Sequence, residues 1–385
     1  MRIKILFILE ATLGGTRKHV IDLLSFIDTK QFDITFCYSS HRCDKNFFPQ
    51  LDVIKQRGIK CIEIPMTRNI SLFQDFKCLI LIYKIISKEK FHIVHSHSSK
   101  AGVLGRLAAK MVSRKIFTIY TPHSMAFNLN KIYKYIEKLL IPFTNTFIAV
   151  SESEKNEIIN NLNTQKIIRI NPGVIVEKER YDSAFLRRIV GIPDNKKIIL
   201  NIGRLTLQKD PLTFFKALNT CVKKYQYTSL YFVWIGDGEL KQLVEDYIKI
   251  NNLGNYCSLL GWRTDIDVLI RGADLFVLTS LYESFGYVTC EAMSAYVPVI
   301  ATRVVGTTDI VVDGVTGLLF EKLDYVCLAN YIIELINDDS LRKTFGMEGN
   351  RRVKKYFNVE NMVRYTEKLY GIGLKKIKQN PIHRF

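Results

Sequence analysis

Apolar residues fall along this chain in short continuous runs, each followed by a polar or glycine-bearing loop and then by a segment of helical period. Ile3–Leu9 is the first run, and an unbroken apolar stretch of that length marks a strand buried on both faces. A Gly-Gly loop follows, then a helical pattern near Thr16–Ile27. The same alternation returns at FDITFCY, KCIEIP, FHIVHSH, KIFTIYT, TNTFIAVS and KIIRIN. A second series opens near residue 197 with KKIILNIG and continues through SLYFVWIG, YCSLLGW, ADLFVLTS and VPVIAT. Strands separated by helices need crossover connections, which give parallel sheets covered on both faces. Two such series predict two doubly wound α/β domains. The polar stretch Glu177–Asn195 interrupts the apolar pattern, and after Leu323 the chain reads as helix to its end. The expected division is 1–178, 190–365, and a basic C-terminal helix and tail over 366–385 that packs back on the first domain. That tail carries Lys375, Lys376, Lys378 and Arg384.

Length and composition agree with this picture. At 385 residues, 48% hydrophobic and 24% charged, the chain is an ordinary globular protein of two or three domains. Charge changes the picture more. Residues 1–180 hold 28 basic and 15 acidic side chains, a net of +13 out of the chain's +18. A basic first half calls for an anionic partner: nucleic acid, a phosphorylated ligand or an anionic membrane surface. The eight cysteines are scattered through apolar runs without a CxxC pair, so a reduced, cytoplasmic compartment is expected. The first apolar run stops at Glu10, too short for a signal peptide, and charged residues interrupt the other runs too early for a membrane span. The expectation is a protein that does not cross a membrane.

Ligands of open parallel sheets bind where strands end, so the residues after each strand carry the chemistry, and the cleft between two such domains is the expected site. In ADLFVLTSLYESFGYVTCEAM a buried strand runs into a loop with Glu283, Phe285 and Gly286, then a helix with Glu291. Free backbone N–H groups and the helix dipole at such a terminus suit a pyrophosphate, and the flanking carboxylates can accept hydrogen bonds from sugar hydroxyls. A plain N-terminal cap with a surface glutamate fits the same residues. In ATLGGTRKHV, Gly14 and Gly15 permit close backbone approach to phosphate. This loop lacks the G-x-G-x-x-G spacing of dinucleotide sites, which disfavours a dehydrogenase. His95 and His97 alternate on a strand end and share a face. With no third ligand at useful spacing, no metal site is expected there. Asp265 and Asp267 open a helix, where acids need no cation to explain them.

The segment around Glu283 and Glu291 resembles the E-x7-E motif of the retaining family-4 glycosyltransferases of GT-B fold, in which two Rossmann-like domains face each other across a cleft. The resemblance runs over nearly the whole chain: TPHS, AVSESEK, NPGV, GRLTLQKD, WIGDGEL, LLGW and DGVTGLLF follow in the family's order. SSKAGVLGRLAA is further similar to members that build bacterial capsule, O-antigen or exopolysaccharide repeats.

The resemblance implies a role for each matching position. Glu291 would hold the nucleotide ribose and Glu283 the transferred sugar, with His123 close to that sugar. Arg204 and Lys209 would neutralise the leaving diphosphate, where stabilising developing charge gains most. Phe285, Gly286, Tyr287 and Val288 would present backbone amides, and Gly14, Gly15, Gly236 and Arg263 would complete the donor side. Thr16, Arg17, Lys18 and His97 would face the acceptor. No cofactor or metal is implied. The donor would be a nucleoside diphosphate sugar, uridine ahead of guanosine, and the acceptor a saccharide on a lipid carrier. Two positions depart from the family pattern: Asp309 stands where glutamate is usual, and NPGV lacks a second asparagine. The rivals are another GT-B activity, such as an epimerase or phosphorylase, and a basic nucleic-acid-binding protein, which would not need the two glutamates. Nucleic acid is therefore not an expected partner. Finally, Lys131, Lys134 and Lys138 fall at i, i+3 and i+7 of KIYKYIEKLL with Tyr133 and Tyr135 beside them. One reading is a solvated face opposite a core face of Ile132, Ile136 and Leu139; the other is that this stripe holds the protein at the inner face of the plasma membrane through anionic lipid.

Overall fold

The computed structural model describes residues 2–123, 131–176, 184–193 and 195–379. Its first sheet is built from β1 (Ile3–Leu9), β2 (Phe32–Tyr38), β3 (Lys60–Glu63), β4 (Ile93–His97), β5 (Phe117–Thr121), β6 (Thr146–Ala149) and β7 (Ile167–Arg169). These run parallel in the order β3-β2-β1-β4-β5-β6-β7. The second sheet holds β8 (Lys197–Ile202), β9 (Leu230–Ile235), β10 (Cys257–Leu259), β11 (Leu275–Leu278), β12 (Val299–Thr302) and β13 (Gly317–Phe320), in the order β10-β9-β8-β11-β12-β13. Both orders reverse beside the first strand of their series, as doubly wound sheets do. This is the α/β architecture that the two series of apolar runs predict. Strand β13 was not among the expected strands; it is short, opens on a glycine and follows the turn DGVT.

Each sheet is buried on both faces, which explains the unbroken apolar strands. In β1, Ile5, Phe7 and Leu9 enter one core while Leu6 and Ile8 enter the other. The described chain divides into two units, one from the segments Met1–Gly173 and Val359–Phe385, the other from Val174–Asn358. The expected boundary at Glu177–Asn195 falls partly on 177–183 and 194, outside the described residues. The return to the first unit comes at residue 359, not 366. The helix Val359–Gln379 brings Val359, Met362, Val363 and Tyr370 along one stripe into the first core. Tyr370 meets Phe32 and Phe7 there with ring centroids 5.7 and 6.3 Å apart. Of the tail, 380–385 and the side chain of Lys378 lie outside the described residues.

In the helix Lys131–Leu140 two of the three expected core residues face outward. Ile132, Tyr135 and Leu139 are 54%, 66% and 74% exposed, while Glu137 is buried. The cause is Arg106, fully buried on the helix Ser99–Val112. Its guanidinium donates to Glu137 Oε1 at 2.9 Å, to Thr144 Oγ1 at 3.1 Å and to the Gly102 carbonyl at 2.7 Å, and lies 4.1 Å over the Tyr120 ring. A buried cation needs its counter-ion, so the helix rotates Glu137 inward. Burial pushes the Glu137 carboxyl up and Arg106 pulls it down. Of the lysine stripe, Lys134 donates to Asn161 Oδ1 at 3.0 Å, Lys138 is exposed, and the Lys131 side chain is outside the described residues.

Candidate functional site

In the second unit the chemistry collects where β8, β9 and β11 end. Strand β8 runs out through Gly203 and Arg204 into a single 3-10 turn, Leu207–Lys209. Asp210 then adopts φ 44° and accepts from the Thr213 N–H, capping the helix Pro211–Asn219. The Lys209 carbonyl accepts from Thr279 Oγ1 at 2.8 Å, so this backbone is fixed to the end of β11. The Lys209 ammonium pairs with the Glu283 carboxylate, which also accepts from Ser280 Oγ at 2.7 Å. With side chains 16% and 8% exposed, the pair is largely out of water. Arg204 is exposed and donates to Gln208 Oε1 at 3.4 Å; Gln208 in turn donates to the Tyr282 carbonyl at 3.1 Å.

Two glycines in this unit are required by close approach. At Gly236 (φ 137°) a Cβ would lie 2.0 Å from the Gly203 carbonyl oxygen. That carbonyl already accepts from the Trp234 indole N–H at 2.9 Å. At Gly306 (φ 90°) a Cβ would lie 2.9 Å from the Glu283 carbonyl oxygen, so the loop after β12 backs the Glu283 loop. Gly286 (φ 89°) precedes the helix Tyr287–Ser294, which carries Val288 and Glu291. Phe285 is buried against Tyr287 and Phe357, with ring centroids 5.2 and 5.6 Å away. Arg263 is bound to Asp265 at 2.6 and 2.9 Å, and this hydrogen bonding holds the Asp265 carboxyl low. The acid at the helix start therefore has a side-chain partner. Asp309 keeps one buried carboxylate oxygen without a hydrogen-bond partner.

In the first unit Gly14 (φ 60°) starts the helix Gly14–Phe26, and both glycines of the loop are exposed. Thr16 is half-buried and Lys18 pairs with Asp22 at 3.1 Å. Arg17, expected on the acceptor side, has partners within the first unit. It is buried, with Nε 3.0 Å from Asp44 Oδ2 and a further bond to Gln50 Oε1. Its charge fastens the helix to the loop after β2.

Three histidines meet at the floor of this unit. His97 ends β4, His123 follows β5 and His19 comes from the first helix. His97 Nδ1 and His123 Nε2 are 3.0 Å apart, and the rings of His19 and His123 meet edge-on at 4.7 Å. All are buried, and burial lowers the His19 pKa to about 4. Burial first, then neighbouring imidazoles, holds His97 and His123 well below the ordinary value, so all three are neutral. His95 has both ring nitrogens engaged, with Tyr370 Oη at 2.7 Å and Thr121 Oγ1 at 2.8 Å. Sequence spacing offers no third ligand for His95 and His97, but the fold brings His19 and His123 to His97. His19 and His123 come to it from elements remote in sequence, which local spacing cannot reveal. Ser280 and Gln208 were also missed; their positions just after β11 and β8 are the available signal.

Comparison with known proteins follows the same division. Residues 13–178 match the model described as Glycosyltransferase Family 4, and residues 182–352 match Glycosyl transferases group 1. An Escherichia coli relative, UDP-Gal:alpha-D-GlcNAc-diphosphoundecaprenol alpha-1,3-galactosyltransferase, is 31% identical over 93% of this chain and 94% of its own. The Staphylococcus aureus capsular polysaccharide biosynthesis glycosyltransferase CapM is 32% identical over 81% and 85%. Among solved structures, Anabaena HepE in complex with UDP superposes with a TM-score of 0.82 at 21% identity, covering 96% of this chain and all of that one.

Proposed function

The chain belongs to the group 1 glycosyltransferases, and from that premise we propose that it moves a sugar from uridine diphosphate to a lipid-linked saccharide with retention of anomeric configuration. The observation that carries this reading is the Lys209–Glu283–Ser280 arrangement at the ends of β8 and β11. It sets a cation for a diphosphate beside a carboxylate for sugar hydroxyls, at the strand ends where a doubly wound sheet binds nucleotides. On donor binding Lys209 turns to the diphosphate, joined by Arg204, and Glu283 is released to the transferred sugar. The helix terminus at Gly286–Val288 supplies N–H donors to the phosphates. Glu291 accepts from the ribose hydroxyls and His123 binds the sugar. As the glycosidic bond lengthens, charge grows on the diphosphate, and Arg204 and Lys209 stabilise it. The acceptor hydroxyl then attacks the oxocarbenium-like sugar from the face that the diphosphate leaves, and its proton passes to an oxygen of the departing diphosphate. No metal takes part in this scheme.

The donor choice draws on the UDP-galactose named for the E. coli relative and the UDP complex of HepE. The acceptor class draws on the diphosphoundecaprenol substrate of the former. A lipid-linked acceptor requires the enzyme to reach a membrane surface, and no helix among the described residues is long and apolar enough to cross one. The outward face of Lys131–Leu140, with Ile132, Tyr135 and Leu139 beside Lys138, suits peripheral binding to the anionic cytoplasmic leaflet. A thermal-shift panel of nucleoside diphosphates and their sugars tests the donor assignment. UDP and one UDP-sugar should raise the melting temperature with concentration, and GDP should not. A shift with GDP and none with UDP would refute the uridine assignment.

A further inference from the structure

We propose that His19, His97 and His123 form a binding site for a zinc ion. One ring nitrogen from each lies within 4.8 Å of the other two, and the three side chains come from three different elements. A tetrahedral zinc with nitrogens at about 2.0–2.1 Å would space its ligands by roughly 3.3 Å. The His97–His123 separation of 3.0 Å is already close to that. The third nitrogen, within 4.8 Å of the other two, has to approach by up to about 1.5 Å to complete the set.

The cluster's own hydrogen bonding is unbalanced. The His97–His123 bond joins one donor to one acceptor, and the buried Nε2 of His97 is left with no partner. Ligation is through His97 Nδ1 and His123 Nε2, the pair already 3.0 Å apart, and it replaces the hydrogen bond between them; Nε2 of His97, on the other side of the ring, is not a ligand. The His97 ring is packed in place. Phe7 stacks on His97 with planes 6° apart, and His95, fixed by its two hydrogen bonds, lies 4.1 Å from it on centroids. Backbone strain gathers here too: His123 has φ 63° and Ser98 φ 71°, both in the left-handed region. Imidazole ligands select zinc, copper or nickel over magnesium and calcium. Three histidines leave one position of a tetrahedral zinc to a further ligand.

The test uses the full chain, dialysed against chelator and titrated with cobalt(II), then zinc. The expected result is one equivalent of cobalt with the intense visible absorption of a four-coordinate nitrogen site, bleached by one equivalent of zinc. His19→Ala should weaken cobalt binding at least tenfold, and His97→Asn should do the same. His41→Ala, at an exposed histidine, should change nothing. Zinc should also raise the wild-type melting temperature. A wild type that binds no cobalt, or binds it with the pale spectrum of a six-coordinate ion, overturns the proposal without any variant being folded. Loss of binding in His41→Ala overturns it equally. Because the readout is metal stoichiometry on the protein alone, it stands apart from the transfer reaction proposed above.

Discussion

Replacing Glu283 with glutamine should have opposite effects on nucleotide binding and on sugar transfer. In the ligand-free protein the Lys209 ammonium has Glu283 as its counter-ion, and their side chains are 16% and 8% exposed. At an effective dielectric of about 20 and about 3 Å, two unit charges attract by roughly 5 kcal/mol, part of which desolvation cancels. Glutamine keeps an acceptor for Lys209 but removes the charge, so a loss of about 2–3 kcal/mol in the ligand-free state is expected. That corresponds to a melting temperature several degrees lower. The diphosphate of UDP then supplies the missing negative charge. UDP no longer competes with Glu283 for Lys209, and its affinity should rise about tenfold, or about 1.4 kcal/mol. Transfer should fall by roughly two orders of magnitude, because the sugar loses a charge-assisted hydrogen bond in the transition state. Calorimetric titration with UDP, melting curves and initial transfer rates read the three terms separately. Weaker UDP binding in Glu283→Gln, with an unchanged melting temperature, would refute the account of this pair.

Three further predictions concern neighbouring features. Gly236→Ala forces a Cβ to within 2.0 Å of the Gly203 carbonyl, so it should destabilise the second unit by about 3 kcal/mol or more and abolish UDP binding, read by denaturant unfolding and titration. Glu154 lies in the cap of the helix Glu152–Leu162, accepts from the Val150 N–H at 2.7 Å, and has its pKa raised to about 8 by burial. The stability that its protonated form contributes is present in full below about 4.5 and is lost as pH rises through about 8. The stability difference between Glu154→Gln and wild type should therefore grow in the variant's favour by about 1.4 kcal/mol per pH unit across that window, and a flat difference would contradict the burial argument. Ile132→Ser with Leu139→Ser should reduce co-sedimentation with anionic vesicles while leaving UDP affinity unchanged, and equal sedimentation with neutral and anionic vesicles would remove the membrane role from this helix.

The sheet architecture was legible because parallel strands buried on both faces leave unbroken apolar runs, as FDITFCY does at β2. Strand β13 was not, because GLLF is short, follows DGVT and offers little hydrophobic run to read. In the helix Lys131–Leu140 two of the three expected core residues, Ile132 and Leu139, face outward. Hydrophobic periodicity assigns Ile132 and Leu139 to a core, but a buried Arg106 on another helix demands Glu137, and an ion pair formed over long range is invisible to local period. Of the proposed donor residues, Glu283 could be picked out because it follows a strand and Lys209 because GRLTLQKD resembles a family motif, while the bond between them depends on the tertiary arrangement of β8 and β11. Arg17 shows the limit of reading charge as function. Its neighbours in sequence suggest an open phosphate contact, and its neighbours in space, Asp44 and Gln50, make it part of the scaffold. The histidine trio could not be found from spacing, since His19, His97 and His123 are joined by the fold and not by a motif.

The central claim is retaining transfer from a UDP-sugar to a lipid-linked saccharide. One measurement tests it most directly: proton NMR of a reaction containing the protein, candidate UDP-sugars, EDTA and a lipid diphosphate saccharide acceptor. The account predicts UDP released in step with glycosylated lipid, at an undiminished rate in EDTA, and a product whose anomeric coupling matches that of the α-linked donor. Donor consumed without acceptor, an inverted anomeric coupling, or release that stops in EDTA and returns with magnesium would contradict it.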